Sequence, residues 1–180
     1  MTQKVAPIPK GYRTATPCLI VNGVDAAIEF YKNAFNADVL NQVKDTTESW
    51  TTHVTLKIGN SLVMLQQESV ELGILSPVTL GNTGAQVHLY VEDMSKLWET
   101  ALEAGAFSIA DPIDTYWGDK SGVLLDPFGH RWSLASRIER VSAEESKKRA
   151  AELYTLPDTY VETDTAVLEE TDTDSQEIAA

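Results

Sequence analysis

The stretch Val21-Asn22-Gly23-Val24 is followed 70 positions later by Val91-Glu92-Asp93-Met94, which matches it in its apolar first and last positions. At the same offset, Ile58-Gly59-Asn60 falls on Phe128-Gly129-His130. The identity between the two halves is low, but apolar positions and turns coincide over most of their length. Because self-similarity at one offset marks duplicated structural units, the sequence predicts two modules of the same fold.

Each half predicts a strand, a helix and three further strands. In the first half, Ile28, Tyr31 and Phe35 recur at helical spacing, and Gly59-Asn60 is typical of a tight turn between strands. In the second half, Asp126-Pro127-Phe128-Gly129 is a turn sequence, because proline presets φ and glycine tolerates positive φ. The sequence therefore predicts an α+β fold in which two βαβββ modules form curled mixed sheets around a cavity.

The modules lie between shorter segments of different composition. We divide the chain into an N-terminal arm (1–12), a first βαβββ module (13–67), a linker or lid loop (68–84), a second βαβββ module (85–140), a C-terminal helix (141–155) and an acidic tail (156–180). The helix is predicted from a capping box, in which Ser142 caps and Glu145 reaches back. The linker is long for a connection, so it permits the modules to pair within one chain or to swap between two chains.

The tail is predicted to be disordered. Residues 157–180 contain eight of the 27 acidic residues, no Lys or Arg, and only scattered apolar residues. Such a segment cannot bury enough apolar surface to offset the entropy lost on ordering. An acidic peptide that binds a partner is the alternative interpretation.

Charge and cysteine content restrict the partners and the compartment. The chain has 14 basic and 27 acidic residues, and its formal net charge is −13 at pH 7. Nonspecific binding to nucleic acid or to an anionic membrane requires positive charge, so we expect neither partner. The single cysteine, Cys18, excludes an internal disulfide and a cysteine-built zinc site, and it favours a reducing compartment. Since we recognise no signal peptide and no apolar run that spans a bilayer, we expect a soluble cytoplasmic protein.

Alternation along the predicted strands gives each sheet a polar face. His53 and Thr55 in the first half, and Gln86, His88 and Tyr90 in the second, alternate with apolar residues. Because successive side chains of a strand point to opposite faces, these five residues are predicted to line a pocket on the face away from the helices. The two histidines are interpreted as hydrogen-bonding pocket residues. A metal-binding pair is the weaker interpretation, since no carboxylate is evident on that face.

Three further candidates have two interpretations each. Cys18 alternates with Thr16 and either lines the cavity or is a small buried hydrophobic residue. Trp117, predicted near the cavity mouth, forms either a stacking wall or ordinary core closure. Lys120, next to Asp119, either holds an anionic group of a ligand or belongs to a solvated turn.

Several stretches resemble a known family. Residues 16–21 (TPCLIV), followed by residues 26–32 (AAIEFYK), are similar to the start of a vicinal-oxygen-chelate domain of the glyoxalase/bleomycin resistance protein/dioxygenase superfamily. Residues 53–59 (HVTLKIG), 116–122 (YWGDKSG) and 126–132 (DPFGHRW) further resemble its PhnB-like branch. The resemblance covers about residues 11–154, and it implies the paired-module fold and a homodimer.

The resemblance also implies where a metal would bind. Metal-dependent members carry four ligands of the His/Glu type on the first and last strands of each module, and these positions correspond to Thr16, Val63 or Met64, Gln86 and Ser133. None of these residues is a usual first choice for a divalent metal. We therefore predict no metal and no other cofactor, and we include Thr16, Gln86 and Ser133 in the predicted pocket.

Sequence and resemblance together predict a small-molecule-binding protein that has lost the metal site of its superfamily. Its ligand is expected to be a hydrophobic or aromatic metabolite or drug, as for the bleomycin-binding relatives. The alternative is a metal-dependent lyase or dioxygenase that acts on a small oxygenated substrate, with His53 and His88 recruited as ligands. No catalytic residue is assigned.

Overall fold

A computed structural model describes residues 5–44 and 51–154 of the chain. The predicted acidic tail, residues 156–180, lies outside the described residues, as do residues 1–4 of the predicted arm. The chain divides into one unit that ends at Arg140 and a second that begins at Val141. The first unit contains both predicted modules.

The first unit has two consecutive runs of strand, helix and three strands, joined by one short helix. The first run is β1 (Cys18–Val21), α1 (Val24–Phe35), β2 (Asp38–Lys44), β3 (Thr51–Ile58) and β4 (Ser61–Gln67). The short helix α2 (Pro77–Leu80) lies in the linker. The second run is β5 (Gln86–Tyr90), α3 (Met94–Glu103), β6 (Phe107–Asp114), β7 (Asp119–Leu125) and β8 (Arg131–Arg137).

The two sheets have the same topology. The strand order is β1-β4-β3-β2 in the first sheet and β5-β8-β7-β6 in the second. In each sheet the first and last strands of the module pair in parallel, and the other pairs are antiparallel. This arrangement confirms the predicted α+β fold of two βαβββ modules with mixed sheets. Within the described ranges, no strand of one sheet is hydrogen-bonded to a strand of the other.

Both main helices begin where the local sequence allows the chain to turn. Helix α1 follows Gly23, whose φ of 100° is accessible to glycine at little cost, and it ends at Asn36, which adopts a left-handed φ of 51°. Helix α3 is capped by Asp93, whose side chain accepts a hydrogen bond from the backbone N–H of Lys96 at 3.0 Å. These turns let each helix fold back over its own sheet.

The two modules share one hydrophobic core, which lies on the helix-covered sides of both sheets. Helix α1 packs against α3, and its aromatic residues reach the second module. The ring centroids of Phe35 and Trp132 are 4.7 Å apart, and those of Phe30 and Phe128 are 6.1 Å apart. One continuous cluster of buried residues includes side chains from both modules. The opposite sides of the two sheets therefore remain outside this core.

A buried carboxyl group joins the modules. Asp126, which is 1% exposed, accepts hydrogen bonds from the Tyr31 hydroxyl at 2.6 Å and from Trp132 Nε1 at 2.9 Å. Its other oxygen accepts from the backbone N–H groups of Phe128 and His130, at 2.9 and 2.8 Å. Burial and the neighbouring Asp126 charge raise the pKa of Tyr31 well above its usual value, so the phenol remains a donor at neutral pH.

The second unit contains helix α4 (Ala143–Leu153). Ser142 Oγ accepts a hydrogen bond from the backbone N–H of Glu145 at 3.1 Å, which caps the helix as the sequence predicts. The Glu145 side chain pairs with Arg149, four residues further along, at 2.9 Å. No helix in the described part of the chain is both long and apolar enough to cross a membrane.

Candidate functional site

The candidate site consists of the two sheet faces that the helices leave uncovered, which we call the first and second open faces. On the first open face, Cys18 of β1, Met64 of β4 and Thr55 of β3 are lateral neighbours. His53 lies on the same side of the sheet, next to Gln66. The hydroxyl of Tyr12 lies 3.1 Å from Thr55 Oγ1, and Thr55 is only 6% exposed. Part of the N-terminal arm therefore covers the middle of the first open face.

The second open face presents polar and aromatic side chains from β5 and β8. His88 Nδ1 lies within hydrogen-bonding distance of Ser133 Oγ, at 2.9 Å. The His88 ring meets the Tyr90 ring edge to face, with centroids 4.7 Å apart. Gln86 lies at the start of β5, next to Arg131. His88, Ser133 and Tyr90 therefore form one contiguous cluster.

A buried carboxyl group lies at one end of the second open face. Asp119 is 1% exposed, and its Oδ2 accepts hydrogen bonds from the Tyr90 hydroxyl at 2.5 Å and from Trp117 Nε1 at 2.8 Å. The hydrogen bond to Asp119 raises the pKa of Tyr90, because it favours the protonated phenol. The two rings are held by their polar atoms, yet Tyr90 is 63% exposed and Trp117 is 42% exposed.

The second oxygen of Asp119 has a different environment. Its Oδ1 is buried and has no hydrogen-bond donor among the described residues. Among the described residues, the cation paired with it is Arg137, whose Nε lies 3.9 Å away, which is an ion-pair distance but too long for a hydrogen bond. Asp119 was named in the sequence analysis only as the neighbour of Lys120, and Arg137 was not named there. Alternation along β8 from Ser133 places Arg137 on the same open face and was the available signal.

Two predicted pocket residues occupy positions that differ from the expectation. Lys120 is the strand partner of Ser136, whose hydroxyl bonds to the backbone at the start of α3, so Lys120 faces the helix-covered side. This corrects the interpretation in which Lys120 and Asp119 together hold a ligand, since adjacent strand residues point to opposite faces. Thr16 precedes β1, and its hydroxyl donates to the carbonyl of Arg13 at 3.2 Å.

Among the grooves that the described residues of the first unit form, two are well defined. One, of about 480 Å³, lies between α1 and α3 on the helix side and is lined by Lys32, Asn36 and Lys96 among others. The other, of about 340 Å³, lies between α2 and the second sheet, with Pro77 and Leu125 in its walls. Neither groove includes Asp119 or the rings that it holds.

The linker is held by a carboxyl group at its start. Glu68 Oε2 accepts hydrogen bonds from the Thr79 hydroxyl at 2.7 Å and from the backbone N–H of Ser76 at 3.0 Å. The hydrogen bond from Thr79, followed by those from Ser76, lowers the pKa of Glu68. The ionised form therefore ties α2 to the end of β4.

We expect the linker to open as Glu68 is protonated. Because its pKa is lower in the folded protein, its contribution is complete above the usual glutamate pKa and is lost as the pH falls through the lowered value. Glu68→Gln at pH 7 should reduce the hydrogen-exchange protection of residues 69–81 severalfold. The exposed Glu71 of the same linker gives the control, Glu71→Gln, which should leave protection unchanged. Glu68→Gln and wild type should become equally protected as the pH falls through the lowered pKa of Glu68. Equal protection already at pH 7 would refute this role.

Comparison with known proteins identifies the family. The sequence model of the glyoxalase/bleomycin resistance protein/dioxygenase superfamily matches residues 13–134, which include the first module and most of the second. The chain belongs to this superfamily. The uncharacterised protein Rv0887c of Mycobacterium tuberculosis is 35% identical over 133 residues, covering 72% of this chain and 78% of that protein.

Solved structures share the superfamily fold. TioX from Micromonospora sp. ML1 superposes with a TM-score of 0.54 at 20% identity, over 72% of this chain and 100% of that one. The PhnB protein from Bacillus cereus superposes with a TM-score of 0.53 at 15% identity, over 69% of this chain and 99% of that one. At these identities the likeness establishes the fold alone.

The superfamily's metal positions can be compared with the cross-strand register. The neighbours across the first and last strands are Cys18 with Met64 and His88 with Ser133, whereas Gln86 faces Arg131. The positions that the resemblance implies on these strands, Thr16 and Gln86, lie two residues before Cys18 and His88 in the chain. Of the two alternatives on β4, Val63 is 2% exposed and belongs to the core, so Met64 is the residue on the open face.

The donors at these positions do not fit a divalent-metal site. Cys18 is exposed as a residue, but partial burial of its thiol raises the thiol pKa. The raised pKa favours the protonated thiol over the thiolate that binds metal. The other donors are a thioether, a hydroxyl and an imidazole whose Nδ1 already contacts Ser133. Divalent cations such as Mn²⁺, Fe²⁺ and Ni²⁺ prefer carboxylate, carbonyl and imidazole ligands. We therefore derive no chemical step through a metal.

His53 and His88 are also not gathered into a metal site. His53 is on β3 of the first sheet, and His88 is on β5 of the second. Across residues 5–44 and 51–154, no group of three or more His, Cys, Asp and Glu side chains is placed to hold a metal ion. The recruited pair considered in the sequence analysis thus lacks a third protein ligand in the described structure.

Proposed function

We propose that this chain is a small-molecule-binding member of the superfamily, of the PhnB-like type, and that it binds its ligand without a metal. The observation that carries the proposal is the pair of exposed rings on the second open face. Tyr90 is 63% exposed and Trp117 is 42% exposed, while the hydroxyl of Tyr90 and the indole N–H of Trp117 are hydrogen-bonded to Asp119. Rings held in this way form a rigid stacking surface for a hydrophobic or aromatic ligand.

The ligand site is proposed to form between two copies of the chain. Large apolar side chains are exposed on the second open face and its edge strand β6, including Phe107 at 63% and Ile113 at 65%. Exposed apolar patches of this kind mark interaction surfaces. Each chain has two open faces whose sheets share one topology, so a second copy supplies a matching face for each. Such a homodimer would enclose the cavity that a single chain leaves open.

Charge and cysteine content support the proposed partners and the proposed compartment. A net charge of −13 disfavours nucleic acid and anionic membranes as partners. The single free thiol of Cys18 is compatible with the reducing cytoplasm, which we propose as the location.

Thermal melting with added metal tests the metal-free part of the proposal. A ligand that binds only the native state stabilises it by about 2.7 kcal/mol at a hundredfold excess over Kd, which would raise Tm by several degrees. We expect the untagged full chain to show no such shift with Ni²⁺, Zn²⁺, Mn²⁺ or Fe²⁺. Added metal should likewise leave the Tm of the His53→Ala and His88→Ala variants unchanged. A clear shift that disappears when both histidines are replaced would instead favour the lyase or dioxygenase.

A further inference from the structure

We propose that Arg137, oriented by the buried Asp119, binds the anionic group of an aromatic ligand on the second open face. The inference rests on the proposed function and specifies its ligand class. It begins from an unfilled acceptor, because Asp119 Oδ1 is buried and has no hydrogen-bond donor among the described residues. An acceptor in this condition is costly unless a donor completes it.

The donor in position to complete it is Arg137. Its Nε lies 3.9 Å from Asp119 Oδ1, and the two residues are direct partners across β7 and β8. The side chain of Arg137 is 68% exposed, so a small rotation brings Nε within hydrogen-bonding distance. An arginine that turns Nε toward one carboxylate keeps its terminal amino groups for a second anion. Asp119 therefore acts as a positioning residue and Arg137 as the anion-binding residue.

The rings next to Arg137 define the rest of the ligand. Tyr90 and Trp117 bond to the other oxygen of the same carboxyl group, so both lie beside the guanidinium group. Arg137 is close enough to Tyr90 to influence its phenol electrostatically. A planar ligand stacked on these rings would place a carboxylate, sulfonate or phosphate substituent at the arginine. This combination favours an aromatic anion.

A cationic ligand is less compatible with the same geometry. Asp119 Oδ1 is already buried, so a cation would first have to displace Arg137 and then reach an oxygen that solvent does not contact. An anion needs no such displacement, because it adds to the exposed side of the guanidinium group. The chain carries a net charge of −13, so a local cation is needed to hold an anion at this face.

Two fluorescent probes with the same ring system test the inference. N-Phenyl-1-naphthylamine is neutral, and 1-anilinonaphthalene-8-sulfonate carries an added sulfonate. We expect the full chain to bind the sulfonate the more tightly, and Arg137→Gln to weaken its binding about tenfold while changing the neutral probe less than twofold. Arg140→Gln makes the same charge change three residues further along and should alter neither affinity. Sulfonate binding that is unchanged in Arg137→Gln would overturn the inference.

Asp119→Asn distinguishes positioning from simple charge. Removing a negative charge beside an anion should tighten sulfonate binding if Asp119 only repels it. If Asp119 orients Arg137, the variant should weaken sulfonate binding severalfold, with the neutral probe again the reference. Because Asp119 is buried, the Tm of Asp119→Asn is measured alongside its affinity for the probes. If Asp119→Asn does not fold, Arg137→Lys gives the second test, because Arg137 is exposed. Arg137→Lys is expected to weaken sulfonate binding, because lysine lacks the planar guanidinium group that can bond to Asp119 and to the sulfonate at once. Tighter sulfonate binding in Asp119→Asn, or wild-type binding in Arg137→Lys, would refute the positioning role. Failure of wild type to bind either probe would overturn the proposed function itself.

Discussion

Asp126→Ala is expected to lower the free energy of unfolding by about 4 kcal/mol, because it leaves four buried donors without an acceptor. Those donors are the Tyr31 hydroxyl, the Trp132 indole N–H and two backbone N–H groups of the β7–β8 turn. For a chain of this size, a loss of that magnitude lowers Tm by roughly 10 °C. Calorimetry or urea unfolding followed by tryptophan fluorescence measures it.

Two further variants show whether the effect belongs to the network. Tyr31→Phe removes one donor and keeps the ring, so its cost should be about 1–2 kcal/mol. Asp38→Ala removes an exposed carboxyl group from β2 and should change stability by less than about 0.5 kcal/mol. If Asp126→Ala were no more destabilising than Asp38→Ala, the modules would not depend on this carboxyl group for their connection.

The order of the elements was predictable because it is encoded locally and twice. Helical spacing in residues 24–35 and turn residues such as Gly59-Asn60 specify short-range structure, and the offset of 70 repeats that information. The polar faces followed from strand alternation alone. His53, Thr55 and His88 accordingly lie on the open faces.

The pairing of side chains across strands was less predictable. Irregular register between Val39 and Asn41, and between Ala110 and Ile113, adds residues that alternation does not count. The parallel pairing of β5 with β8 brings His88 to Ser133 over 45 positions, and no local pattern encodes that distance. Gln86 and His88 were both predicted to line the pocket, and only the register shows that His88 is the one beside Ser133.

The buried acids were the hardest residues to interpret. In the sequence, Asp119 follows Trp117 and Gly118, and Asp126 precedes a proline, so both resemble exposed turn residues. Each is only 1% exposed in the structure, and each accepts hydrogen bonds from two aromatic side chains, one of which is distant in sequence. Tyr31 and Asp126 are 95 positions apart. Whether such a carboxyl group is buried and hydrogen-bonded depends on tertiary contacts, which composition and spacing do not show.

Ile113→Asp is expected to separate the proposed dimer into single chains. Ile113 is 65% exposed on β6, next to Ser121 on the second open face. Because each of the two copies carries the substitution, two charges would be desolvated in the interface, so the dimer dissociation constant should rise by at least about a hundredfold. Val70→Asp provides the control, because Val70 is 70% exposed in the linker and lies outside both sheets.

The same variant links assembly to ligand binding. If the site lies between two open faces, a chain that no longer dimerises should also lose the neutral naphthylamine probe, with affinity reduced more than tenfold. Val70→Asp should remain dimeric and bind the probe as wild type does. If the probe instead bound exposed apolar surface elsewhere on the chain, Ile113→Asp would keep its affinity for the probe.

Sedimentation velocity with fluorescence detection of N-phenyl-1-naphthylamine tests the central claim most directly, since it reports mass and bound probe together. For wild type, we predict saturable probe fluorescence that sediments with the dimer. For Ile113→Asp, we predict a monomer without bound probe. A wild-type chain that sediments without probe, or an Ile113→Asp chain that binds it at full affinity, would contradict metal-free ligand binding between the open faces.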